Sequence, residues 1–175
     1  MLGGQSEQAV DELGLGLDST CWDLSLPDHL HRLVSPQSAP GGAIADALDK
    51  LQGIEGKTVI DATNLIGIDP PTGFRSNAEF VKSKTNGPTA KSFNINFAEL
   101  YGRLGEARAT LSNLWCGDDE AREVVEQLNQ DAGYELVHTG PLGNAAAQES
   151  LTGIFFAISR GIGPFVYRIA PPDQL

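Results

Sequence analysis

A chain of 175 residues is long enough to bury one substantial core. With 41% hydrophobic and 20% charged residues it reads as a globular domain, not a disordered one. The formal net charge of -11 repels phosphate backbones and anionic lipid, so no nucleic-acid and no membrane partner is expected. An anionic dinucleotide stays compatible, because local amides and basic groups hold such ligands.

No run approaches the ~18 apolar residues of a membrane span. Glu7, Asp11, Glu12 and Asp18 near the start come without any nearby Lys or Arg, unlike a signal or transit peptide. A cytoplasmic address is therefore expected. Cys21 and Cys116 sit in unlike contexts with no CxxC, and they read as reduced thiols.

Residues 5–13 suggest a short helix that stops at Gly14. The stretch from there to 42 holds Pro27, Pro36 and Pro40 and no apolar β-branched strand, so it is expected to be irregular, with one helical turn at 28–34. The chain divides there: 1–42 is a divergent segment, and 43–175 alternates regularly. Ile44, Ala47, Leu48 and Leu51 predict a helix over 43–51, closed by Gly53 and Gly56. A strand follows at 57–63, then a loop with Pro70 and Pro71. Ser76, with Glu79 three residues on, has the capping-box spacing and opens a helix over 76–84. Then come a strand at 89–93, a short helix at 97–104 and a strand at 111–116. The helix at 118–132 is read as capped by Asp118 and Asp119 and stopped by Gly133. A strand at 135–138 precedes the longest helix, 142–160, whose apolar stripe is Leu151, Ile154, Phe155 and Ile158. A short strand at 165–169 is expected to close the fold.

Strands alternating with helices imply an α/β fold with a parallel, doubly wound sheet. Ligands of such sheets lie beyond the carboxyl ends of the strands, which points to Thr63, Asn64, Phe93 and Asn94, and next to Cys116 and Gly117. Asn64 can bond a ligand carboxamide or cap its own loop. Phe93 with Asn94 and Asn96 can pack on and orient a flat ring; alternatively Phe93 and Phe97 are core and the amides make turns. Asp118 and Asp119 read as caps, His138 as structural. Cys116 at a helix start is in a setting that can lower a thiol pKa, but no histidine accompanies it. No Cys/His spacing supports a metal site. The nearest match to GxGxxG is Gly14-Leu15-Gly16-Leu17-Asp18-Ser19, which lacks the third glycine and follows a helix instead of a strand.

Four segments in register, GKTVIDATN (56–64), AKSFNINFA (90–98), CGDDEAREVV (116–125) and GPLGNAAAQESL (140–151), carry a resemblance. From about 43 to 168 the chain resembles the NADP-dependent deazaflavin reductases, their predicted dinucleotide-binding relatives and the metalloreductase domains of STEAP proteins. The resemblance implies a three-layer, Rossmann-type, mostly parallel sheet, N-terminally truncated: the family's first strand, glycine turn and first helix have no counterpart here. An apolar strand ending in a proline-bearing loop is also expected by the family pattern, and residues 19–40 do not supply it. The resemblance implies NADP(H) as cofactor, a deazaflavin or flavin as electron partner, and hydride transfer impaired by the missing turn. Thr63 and Asn64 would lie near the nicotinamide ribose and carboxamide, and Ser92, Phe93, Asn94 and Asn96 where the two rings meet. Direct transfer between stacked rings makes no acid or base obligatory, so no catalytic side chain is assigned. The alternative is a non-catalytic Rossmann remnant that acts as a dimerisation or interaction module, its helix 142–160 burying the apolar stripe against a partner such as a second copy.

Overall fold

The computed structural model describes residues 33–34, 43–51 and 53–174. The readings made for 5–13 and for the near-glycine motif at 14–19 lie outside them. In chain order the elements are β1 (Leu33–Val34), α1 (Ala43–Lys50), β2 (Val59–Asp61), α2 (Asn77–Thr85), β3 (Thr89–Ser92), β4 (Leu111–Gly117), α3 (Arg122–Asp131), β5 (Tyr134–His138) and α4 (Ala145–Ile162). Short 3-10 turns occupy Ala98–Glu106, Asp119–Ala121 and Leu142–Asn144.

The five strands form one sheet in the order β1-β2-β3-β4-β5. β1 to β3 run parallel, β3 pairs antiparallel with β4, and β4 pairs parallel with β5. The sheet is thus mostly parallel, and among the described strands there is no switch point from which it is wound outward. Strand order simply follows the chain. Helices still reach both faces, for a reason of handedness. Crossovers between parallel strands of one sheet are right-handed as a rule. When strand direction reverses while the walk across the sheet continues, the same hand puts the next helix on the opposite face. Hence α1 and α2 pack on one face with Val59, Phe80 and Val81, and α3 packs on the other through Val125, beside Ile60, Ala90 and Trp115. α4 returns to the first face, where Ala145 meets Ala78, Cys116 and Leu142.

Several local expectations need correction. Leu33 and Val34 pair with Ile60 and Asp61 as strand β1, where the sequence predicts the end of a helical turn at 28–34; residues 28–32 lie outside the described residues. The sequence shows no apolar strand in 19–40, yet Leu33–Val34 pairs with β2 as a two-residue strand. It is too short to show in a hydrophobic pattern, and the pairing with β2 defines it. Residues 165–169 form no strand, although Ser112 N donates to Tyr167 O at 3.0 Å and holds this segment along β4. Ser76 caps α2 as read, accepting from Glu79 N at 3.1 Å. The Glu79 carboxylate reaches back one residue further than a capping box does, to Arg75 N at 2.9 Å. Gly133, at φ 83°, ends α3 as expected. Asp118 makes no cap bond. Its carboxylate instead takes Lys82 Nζ at 2.6 Å and Thr89 N at 2.8 Å, tying α2 and β3 to the end of β4.

Candidate functional site

The reversal between β3 and β4 decides which ends of the strands lie together. The carboxyl ends of β2 and β3 share an edge with the amino end of β4. Cys116 and Gly117 sit opposite Lys91 and Ala90, toward the other edge. They are not part of the candidate site, which corrects the reading that treated every strand as parallel. Gly117 is there for packing: a Cβ on it would come 2.7 Å from Thr89 O. Cys116 is buried, and burial pushes its thiol up to about 11, the opposite of an activated nucleophile. His138 stacks on Trp115 with ring centroids 4.3 Å apart, a packing role. Among the described residues no three His, Cys, Asp or Glu side chains gather as a metal site, and no helix is long and apolar enough to cross a membrane.

At the shared edge the chain leaves β3 through Phe93, which adopts φ 61°. That conformation is rare for a bulky residue and costs on the order of 1–3 kcal/mol. It turns the Phe93 ring onto the α3-side core, where the ring meets Tyr134 edge-on at 6.3 Å. Asn94 and Asn96 then line a cleft of about 550 Å3, together with Asn64 from the β2 loop, Phe97, and Thr152 and Phe155 from α4. Asn64 and Asn94 form a reciprocal pair on its floor. Asn64 Nδ2 donates to Asn94 O at 2.6 Å, and Asn94 Nδ2 donates to Asn64 Oδ1 at 3.0 Å. Thr152 Oγ1 adds a third bond, to Asn64 Oδ1 at 2.7 Å. Both asparagines are buried and Asn96 is half-buried. Phe97, edge-on to Phe156 at 6.0 Å and to Phe165 at 5.4 Å, builds an aromatic wall.

Of the six residues picked from the sequence, Asn64, Asn94 and Asn96 line the cleft, whereas Thr63, Ser92 and Phe93 stand behind it. Thr63 Oγ1 accepts from Asn77 Nδ2 at 2.8 Å. Ser92 belongs to a buried network on the α3 face, where Asn113 Nδ2 donates to Ser92 Oγ at 3.2 Å and to Asn129 Oδ1. Asn96 Nδ2 joins that network through Asn113 Oδ1 at 2.7 Å.

A charged cluster supports the floor from the α4 side. Lys91, fully buried in the middle of β3, donates to Asp61 Oδ2 at 2.8 Å, to Glu149 Oε1 at 2.7 Å and to Thr63 O. A buried ammonium without such partners would be prohibitively costly. Two carboxylates face one cation. Burial raises the Glu149 carboxyl above the ordinary carboxylate range, against the pull of Lys91. Among the described residues its Oε2 has no hydrogen-bond partner, nor has the buried Asn77 Oδ1.

Lys91, Gln148, Glu149 and Thr152 were assigned no role from the sequence. Two signals marked them. A lysine centred in the strand TAKS needs a buried partner if the strand is internal. Gln148, Glu149 and Thr152 lie within one turn of an otherwise apolar helix, so they share a polar stripe.

No family model matches the chain, and no curated protein does. Solved structures do match. One is a “putative f420 dependent nadp-reductase” from Arthrobacter sp. FB24, with TM-score 0.62 and 22% identity over 77% of this chain and 68% of that one. Another is a hypothetical protein from Sinorhizobium meliloti, with TM-score 0.51 and 23% identity over 61% of this chain and 56% of that one. The chain thus spans only part of each of these proteins. At such identities the likeness establishes the architecture alone: this is a Rossmann-like α/β fold.

Proposed function

We propose that the cleft receives the ring end of a nicotinamide dinucleotide, NADP(H), and that the chain is the nicotinamide-side part of an oxidoreductase. The observation that carries this reading is the Asn64–Asn94 carboxamide pair flooring an aromatic-walled cleft at the carboxyl ends of β2 and β3. The position is where α/β sheets of this kind bind ligands, and its volume lies in the ordinary range for ligand pockets. The NADP-reductase description of the Arthrobacter neighbour agrees with it. The cleft fits a flat, uncharged ring and not a pyrophosphate: none of its lining residues is Lys or Arg, and Glu99 stands at its rim. The bound nicotinamide would supply the hydride, with a deazaflavin or flavin-like ring as its partner. The chain's own residues would align the rings and exclude water, and no acid or base side chain is required.

The sequence contains no GxGxxG turn to hold the pyrophosphate. Each missing amide-to-phosphate bond removes ~1.5–3 kcal/mol. NADPH binding by this chain is therefore weak. Titration by calorimetry with a thermal-shift readout tests this. Millimolar binding, lost on Asn94→Leu, is the expected result. Low-micromolar binding would overturn the weakness. No response at saturating NADPH would overturn the dinucleotide reading itself. Loss of NADPH absorbance with a deazaflavin or a flavin added would then name the electron partner.

A second reading has its own observation. The outer face of α4 and the segment after it expose Ile154, Ile158, Ile162, Val166 and Ile169. Such a face on an otherwise strongly acidic chain suits a second copy of the same face. A homodimer in light scattering supports it, and a monomer at high micromolar concentration refutes it.

A further inference from the structure

The polar groups on the cleft floor have one sign, and groups outside the cleft set it. Backbone carbonyls can only accept, so they fix amide orientations. Lys91 O and Leu114 O lie 3.5 and 3.3 Å from Gln148 Nε2, and Gln148 Oε1 takes the Thr139 hydroxyl at 3.1 Å. The nitrogen of Gln148 therefore faces the sheet. The same nitrogen donates to Asn94 Oδ1 at 2.8 Å, which leaves the Asn94 nitrogen facing Asn64. Asn94 O, another carbonyl, independently holds the Asn64 nitrogen. Asn64 Oδ1 is then filled twice, by Asn94 Nδ2 and by the Thr152 hydroxyl. An amide nitrogen carries two hydrogens. Among the described residues, Asn64 and Asn94 each use one. One amide hydrogen is thus left over on each of these two cleft-lining residues, while the Asn64 oxygen is saturated and the Asn94 oxygen is turned toward buried Gln148.

We propose that Gln148 and Thr152 are positioning residues that hold this floor as an N–H donor pair, so that the site selects flat rings presenting a carbonyl oxygen to it. The proposal rests on the ring-binding reading above and specifies its chemistry. The carboxamide of nicotinamide and the ring carbonyls of a flavin share that acceptor. A ring offering only N–H groups would leave the floor donors unpaired.

Side-chain amide NMR of the whole chain tests this with four probes: nicotinamide, its methyl-ketone analogue (carbonyl kept, N–H removed), its aminopyridine analogue (N–H kept, carbonyl removed) and riboflavin. The expected result is that nicotinamide and the ketone shift the Asn64 and Asn94 resonances with similar affinity, and that the aminopyridine binds roughly tenfold more weakly. Riboflavin outcompeting nicotinamide would assign the floor to the electron partner, and the reverse to the nicotinamide; either order supports the carbonyl rule. Thr152→Val removes the hydroxyl that saturates Asn64 and should bring the ketone-to-aminopyridine ratio toward one. Thr152→Ser should restore it. Gln148→Glu, which presents an acceptor to the Asn94 oxygen, should change the ratio as Thr152→Val does. A merely structural role would weaken all rings together and leave the ratio intact, which would overturn the proposal. Equal binding of ketone and aminopyridine to the unaltered chain would also overturn it while leaving the ring cleft standing. No binding of any ring would overturn both.

Discussion

The two halves of α4 reverse the usual rule for a surface helix. In its first half the buried residues are Ala145, Gln148, Glu149 and Thr152, so mainly polar side chains face the sheet. In its second half Ile154, Phe156, Ile158 and Ile162 are exposed, with Ile162 at 71%. An apolar stripe normally marks the inward face. Here the inward face of the first half is polar because Lys91 in β3 needs a carboxylate and the Asn64–Asn94 pair needs a donor on each side. In the second half Phe155 and Phe156 line the cleft and pack on Phe97, Phe165 and Tyr167, and the remaining face stays uncovered among the described residues. One helix thus serves as a polar strut at one end and as an apolar surface at the other.

The strongest way to break this comparison is Lys91→Met. It leaves Asp61 and Glu149 buried without their cation and should cost about 3–5 kcal/mol in urea denaturation. A loss below about 1 kcal/mol would mean that the charged cluster does not hold the first half of α4.

Glu149→Gln sharpens the same half by sign. Burial raises the Glu149 carboxyl, so in the native state it binds its proton more tightly than in the unfolded chain. From the ordinary carboxylate range up through the raised native pKa, stability therefore falls as pH rises. The variant keeps an acceptor for Lys91 and Asn77 N and lacks this slope. It should equal or exceed the parent in stability at neutral pH, and the parent should close the gap on acidification. A parent that loses stability relative to the variant as pH falls over that window would contradict this.

Thr152→Val, at the junction of the halves, removes one buried hydrogen bond to Asn64 and should cost about 1 kcal/mol. The smallest effect on stability is expected on the outer half. Ile154→Gln, Ile158→Gln and Ile162→Gln should each change it by no more than about 0.5 kcal/mol. Together they should abolish self-association if a second copy covers that face. Destabilisation by several kcal/mol would show that the face packs within the chain.

Legibility in the sequence follows interaction range. The helices at 43–50, 77–85 and 122–131 were readable because helical periodicity, the Ser76 cap and Gly133 act within a few residues. The buried strands β2, β3 and β4 were readable as short segments between turn residues. Asn64, Asn94 and Asn96 were readable as site candidates because they follow strand ends. Phe93 follows a strand in the same way and was picked with them, but its left-handed φ carries its ring away from the cleft, and nothing in SFNIN announces that turn. Strand β1 was missed because two residues show no pattern without their partner. The Asp118 carboxylate was misread as a cap because its actual partners, Lys82 and Thr89, lie far away in sequence.

By itself the sequence determined the α/β alternation, the acidic surface and the placement of three carboxamides just past the carboxyl ends of strands. These depend on composition and on contacts between near neighbours. Only the tertiary structure decided the direction of β4, and with it which strand ends meet. Only it showed that Lys91, Gln148, Glu149 and Thr152 stand behind the carboxamides and orient them. Strand direction and buried pairing are fixed by contacts between distant segments, and a one-dimensional pattern of residue types does not specify those partners.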